Sequence, residues 1–202
     1  MLSSITPLGE RGRHNRWSTT AAWYLAGSVA GGITFGLLMG ALGEALTRVA
    51  APIATGAVSV LVASALALAL LFDTGVLGER VPSIHRQVNE DWLDLYRNWV
   101  YGGGFGWQLG LGVITIVPTA GTYVTWLMAL LTGQLWMGAV IGGAFGLARG
   151  LPILAVASAT DPQRLRRFHR RMAAAAPGAH RAVVAVTAIA LVGSFVVVIG
   201  GV

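Results

Sequence analysis

The sequence predicts an all-α protein of the polytopic membrane class: one transmembrane domain over residues 1–202, a bundle of about five membrane-spanning helices with six as the alternative, and a helix kinked or broken at Pro118. Three observations carry that prediction. The chain of 202 residues is 55% hydrophobic and 11% charged with a mean hydropathy of +0.69, and its charges fall into short clusters between long apolar runs. Glycines recur at four-residue spacing in three of those runs, as they do where helix backbones approach closely in a membrane. The stretch from Trp99 to Gly133 carries no charge, and as one straight helix it would measure about 50 Å against a hydrocarbon core of about 30 Å.

All 14 basic residues are arginine, the formal charge is +6 and the pI is near 11.0. The arginines sit in tails and loops between apolar spans, where topology and anionic lipid account for them, so the bilayer is the expected partner and nucleic acid is not. The absence of cysteine excludes disulfides, thiolate catalysis, thiolate metal ligation and dithiol electron transfer together. No nucleophile–base pair, metal-ligand spacing or phosphate-binding glycine motif is present, so no catalytic residue, metal or cofactor is expected.

Residues 1–18 read as a polar cytoplasmic tail, with Arg11, Arg13, His14 and Arg16 ahead of an apolar run too long for a signal-peptide core. The first span covers about Thr20 to Leu46, closed by Glu44 and Arg48 as an i,i+4 surface pair. The second, about Ala51 to Phe72, is Ala, Val and Leu almost throughout. In the polar loop 73–98, Asn89 can cap a short interfacial helix bearing Trp92, Leu95, Tyr96 and Trp99 at helical spacing, while His85, Glu90, Asp91 and Asp94 read as a solvated face. Beyond Gly133 a span runs from Gln134 to about Ser158 and contains Arg149 and Pro152. The loop 159–181 is the most basic: Asp161-Pro162 starts a helix and Pro177-Gly178 stops it. Its Leu165, Phe168 and Met172 face one way and Arg164, Arg167, Arg170 and Arg171 crowd the rest, so it is expected to lie along anionic lipid headgroups. Ala182 to Val202 is the last span.

Arginine counting arbitrates the long stretch. If residues 99–133 cross once, the tail, the 73–98 loop and the 159–181 loop hold three, three and six arginines on one side, with Arg48 opposite. If they cross twice, the six-arginine loop opposes the other two clusters. One crossing with the N-terminus cytoplasmic, in a bacterial plasma membrane, is therefore expected. A single crossing is too long to be straight, and Pro118 places a kink or break near Val113 to Gly121. Broken helices form midplane binding sites in transporters, so the candidate path or binding residues are Thr34, Gln108, Thr115, Pro118, Thr119, Thr122 and Arg149. Arg149 is the only formal charge well inside a span, with snorkelling toward the nearby interface as its other reading.

The glycine ladders are Gly32, Gly36 and Gly40; Gly102, Gly106 and Gly110; and Gly138, Gly142, Gly146 and Gly150. They predict that spans one, three and four form the tight centre and that spans two and five face lipid. An internal echo, ITFGLLMG at 33–40 against ITIVPTAG at 114–121, pairs the first and third spans in the same direction.

The run GGGFGWQLG, the sequence Pro118-Thr119-Ala120-Gly121, the segment GAFGLARGLPILA, the arginine loop and the last span together resemble the second repeat of the CcdA/DsbD family of cytochrome c biogenesis and thiol-disulfide interchange membrane proteins, over residues 99–200. The resemblance implies a scaffold in which two glycine-rich helices meet near the membrane centre. It also implies a redox cysteine where this chain has Thr119, and by the internal echo Leu38 stands at the first-half equivalent. The scaffold can carry over; the electron transfer cannot. Two functions follow: transport of a small solute between the first, third and fourth spans, or a non-catalytic scaffold subunit of a larger redox or envelope complex, with a membrane-protein partner or a second copy against its glycine faces.

Because the chain has no native cysteine, introduced ones report topology directly. Gln134→Cys should react with a membrane-impermeant maleimide on intact cells and Arg170→Cys only after permeabilisation; the reverse pattern would invert the orientation.

Overall fold

Thr6 followed by Pro7 starts the first helix, α1 (Pro7–Gly12). The Thr6 hydroxyl accepts the Gly9 N–H at 3.0 Å, and Pro7 lies in the first turn, where a missing N–H costs no hydrogen bond. The computed structural model describes residues 5–49, 55–78, 81 and 92–200, and all regular structure among them is helical. α2 (Trp17–Val49) and α3 (Thr55–Asp73) are followed by a single turn, α4 (Trp92–Leu95), then α5 (Asn98–Leu111), α6 (Gly121–Leu131) and α7 (Leu135–Gly150). α7 tightens into a 3-10 segment (Leu151–Ser158) at Pro152, and α8 (Pro162–Gly200) ends the described chain. Trp17–Val49, Leu135–Ser158 and Pro162–Val196 are long and apolar enough to cross a membrane, while Gly121–Leu131 and residues 57–73 are shorter apolar helices.

α2 is the axis. At about 1.5 Å per residue it is about 50 Å long, and its most extensive contacts are with α7 and α5. Those contacts are backbone on backbone. A Cβ at Gly32 or Gly36 would overlap the carbonyl oxygen of Gly142 or Gly138, and one at Gly142 or Gly138 would overlap that of Gly32 or Gly36. Gly27 and Gly31 meet the carbonyls of Gly103 and Trp107 in the same way, while Gly106 and Gly110 meet those of Tyr24 and Ser28. Gly102 stands against the Thr20 carbonyl, and a Cβ at Gly40 would lie 2.6 Å from that of Gln134. Gly146 meets the Ser28 carbonyl and Gly150 the Ser28 side chain.

The pairings also give directions. Numbers rise together from Tyr24–Gly106 to Ser28–Gly110, so α5 runs parallel to α2, and they run oppositely from Gly32–Gly142 to Gly40–Gln134, so α7 is antiparallel. α6 meets α2 further along, with Trp126 at Phe35, Leu130 at Gly43 and Gly133 at Thr47. α5 and α6 thus succeed one another along α2 in one direction, and a non-helical segment, 112–120, separates them.

Three expectations change. The described part of the expected polar tail, residues 5–16, is packed against the bundle, because Ile5, Thr6 and Glu10 are fully buried and α1 packs on α2 and the 3-10 segment. The Glu10 carboxylate accepts from the Thr20 hydroxyl at 2.6 Å and from the Tyr101 hydroxyl at 2.6 and 2.8 Å, with the Arg13 guanidinium at 3.5 Å; a buried carboxylate is stable only when so partnered. Around it Ile5, Tyr24, Leu93, Phe105 and Ile153 form a side-chain core at this end of the bundle. The short helix expected from Asn89 to Trp99 is interrupted at Tyr96–Arg97, between α4 and α5, and Asn89, His85, Glu90 and Asp91 lie outside the described residues.

Nor does Pro177-Gly178 end a helix, since α8 is continuous through both, and residues 159–181 are mainly the first half of that helix instead of a loop. Pro177 forfeits one N–H donor, but the alanines before it favour helix and nothing crowds Gly178, so the helix absorbs the loss. Asp161 caps its start, accepting the Arg164 N–H at 2.8 Å. The Glu44–Arg48 ion pair forms near the end of α2.

Gly142→Ala and Gly36→Ala should each lower unfolding stability in detergent by about 3 kcal/mol through forced separation of α2 and α7. Gly193→Ala, where nothing lies within 4 Å, should be neutral or stabilising by up to about 1 kcal/mol. Equal effects at all three would mean the backbone contact is not what holds the helices.

Candidate functional site

α5 ends where Gly112 turns left-handed (φ 75°) and returns its N–H to the Leu109 carbonyl at 3.1 Å. Glycine is required there twice over, because a Cβ would also come within 2.7 Å of the Phe145 ring. The chain then runs irregularly through Pro118 before α6 starts, so a carbonyl-bearing helix end faces an amide-bearing one across the break.

Each end is met by a charge of the complementary sign. From α7, Arg149 donates to the Gly112 carbonyl at 3.3 Å, the Thr115 hydroxyl at 3.3 Å and the Ile116 carbonyl at 3.5 Å, with its guanidinium 5.5 Å from the Phe145 ring centre. From the last residue of α3, Asp73 Oδ1 accepts the Ala120 N–H at 2.8 Å, just ahead of α6. A cation at a helix C-terminus and an anion at an N-terminus both oppose the partial charge of the helix dipole. Between them Thr115, Val117 and Ala120 are buried while Ile116 and Pro118 are exposed. Trp126 lies beside the break near Gly112, set edge-on between Phe35 and Phe145 with both centroid distances 4.7 Å. Two buried polar atoms here lack a hydrogen-bond partner, Asp73 Oδ2 and Trp126 Nε1.

The structure brings together Arg149 and Thr115, with Thr119 and Thr122 at the far end of the break. Thr119 is half-buried and its carbonyl accepts the Thr122 N–H at 3.3 Å; Thr122 is buried. Thr34 is elsewhere, exposed on α2 and bonded to its own Ala30 carbonyl at 2.7 Å. Gln108 is half-buried on α5. Thr34 and Gln108 thus stand on α2 and α5, and α2 touches α5 and α7 backbone to backbone along the glycine stripes. An open cleft of about 430 Å³ lies instead between α3 and α6, lined by Ala69, Phe72, Tyr123 and Leu127 and reaching Ala120.

Sequence pattern assigns no role to Ser28, Glu10 or Trp126 and puts Asp73 at the start of a loop. Ser28 donates to the Gly146 carbonyl at 2.6 Å where α2, α5 and α7 meet, and it extends the Gly32–Gly36–Gly40 ladder by one step, a signal that was there to read. Thr6-Pro7 likewise announced a helix that carries Glu10. Asp73 looked like the first loop residue but is the buried end of α3, so an acidic side chain does belong to an apolar helix.

These features define a helical protein of the membrane type, packed about the unbroken α2 with a break between α5 and α6. Among curated proteins the chain is similar to methylamine utilization protein MauF of Paracoccus denitrificans, 35% identical over 105 residues, which is 50% of this chain and 38% of that relative's length. No family model matches, and no solved structure does.

Asp73→Ala should cost about 1–2 kcal/mol through the lost amide contact and speed hydrogen exchange at Ala120 and the first turn of α6. Arg149→Ala should instead loosen 112–116. If exchange across 112–122 is unchanged in both variants, the charges do not hold the break.

Proposed function

We propose that this chain is a non-catalytic accessory subunit of a bacterial inner-membrane system for methylamine utilization, built on a scaffold similar to CcdA/DsbD proteins but without their cysteines. The observation that carries this reading is the packing of α2 against α5 and α7, which leaves the centre of the bundle filled by backbone. The break is occupied by the chain's own Arg149 and Asp73, a rigid arrangement suited to holding a partner and ill suited to passing a solute. The methylamine connection rests on the similarity to MauF.

Transport is the second reading, and the open cleft between α3 and α6, which reaches Ala120, favours it. Disruption of the gene should abolish growth on methylamine while sparing growth on succinate and ammonium, and the tagged protein should bring down a stoichiometric membrane or envelope partner in mild detergent. Methylammonium flux through proteoliposomes of the purified chain, lost in Arg149→Ala, would replace the accessory role with the transport one.

A further inference from the structure

Continuity of α8 changes what its arginines can do. An isolated basic helix would rest on any anionic surface, but here the basic half and the apolar half are one rod, docked at its start against the 3-10 segment. Between them is a cleft of about 520 Å³. Arg164, Arg167 and Arg171 line one part of it, and Phe168, Met172 and Ala155 supply apolar floor. Arg164 is paired with Asp161 at 3.0 Å, whereas Arg167 and Arg171, one turn apart and exposed, have no carboxylate partner among the described residues. Arg166 and Arg170 lie on the other side of the helix and stay outside the cleft.

The direction of the cleft matters as much as its charge. Arg164, Phe168, Arg171 and Ala175 follow at three- and four-residue steps, and the same steps continue through Ala182 to Val186 and Ile189, which are 66% and 72% exposed. Thr187, on a different side of α8 from this stripe, is buried, as expected of the side that meets α3. A guanidinium-lined cleft thus opens onto an uncovered apolar track along one helix, at the end where α8 enters its apolar run. Guanidinium groups hold phosphate oxygens by paired N–H donors, and an acyl chain can cover the track.

We propose that this cleft binds one anionic glycerophospholipid, its phosphate held by Arg167 and Arg171 and an acyl chain lying along Ala175 to Ile189. The site is independent of the break and of the accessory reading.

Native mass spectrometry of the full chain in mild detergent, with added phosphatidylglycerol or phosphatidylcholine, tests it. One phosphatidylglycerol should be retained per chain where phosphatidylcholine is not. Arg167→Ala/Arg171→Ala should weaken retention about tenfold while Arg166→Ala/Arg170→Ala, which removes the same charge, leaves it intact. Equal retention of both lipids, or equal loss in both double variants, would overturn the site in favour of diffuse attraction. Glycerol 3-phosphate in excess should fail to displace the lipid; displacement at concentrations comparable to phosphatidylglycerol would overturn the acyl track. Circular dichroism of each variant separates lost binding from lost folding.

Discussion

The contact between the bare backbones of α2 and the carbonyls of α5 and α7 is the constraint on which the rest of this structure depends. In lipid no hydrophobic drive pulls helices together, so association rests on close van der Waals contact, Cα–H···O approaches and the few hydrogen bonds that side chains can add. Gly32 against Gly142 and Gly36 against Gly138 supply the first two; Ser28 on the Gly146 carbonyl supplies the third. Packing at this separation leaves no volume for side chains or solute along the stripe. Any chemistry is therefore pushed to where backbones part, which happens at the break between α5 and α6 and at the ends of the bundle.

At both places the protein deals with polar groups that lipid cannot satisfy. Opening a helix exposes carbonyls on one side and amides on the other, each costly away from water. Arg149 and Asp73 answer those two ends with opposite charges from different helices, so the break ties α7 to α5 and α3 to α6. The Glu10 carboxylate does comparable work at the start of the bundle, joining α1 to α2 through Thr20 and to α5 through Tyr101. A break clamped in this way acts as a joint between helices. Asp73 Oδ2 and Trp126 Nε1 are the exceptions, polar atoms buried beside the break without a partner.

Much of this was legible because glycine and proline constrain the backbone directly. Four-residue glycine spacing marks the same stripes that meet in the structure, and Pro118 lies within the non-helical segment. Pro177 illustrates the limit of such punctuation: the same residue type interrupts nothing in α8, because there the neighbouring alanines keep the helix intact. Local pattern also misassigned polar residues whose role is set by distant partners. Thr34 shares its residue type with Thr115, yet one bonds to its own helix and the other to Arg149, across 34 positions of sequence.

By itself, then, the sequence determined composition, the apolar runs, the helix start at Asp161-Pro162, the absence of thiol chemistry and the faces on which backbones can touch. Those are properties of one segment at a time, governed by periodicity and backbone sterics. Tertiary structure alone decided that Glu10 and Asp73 are interior groups and that Arg149 binds the open end of α5. Each of those depends on which carbonyl, amide or hydroxyl arrives from elsewhere in the chain to offset the cost of removing a charge from water.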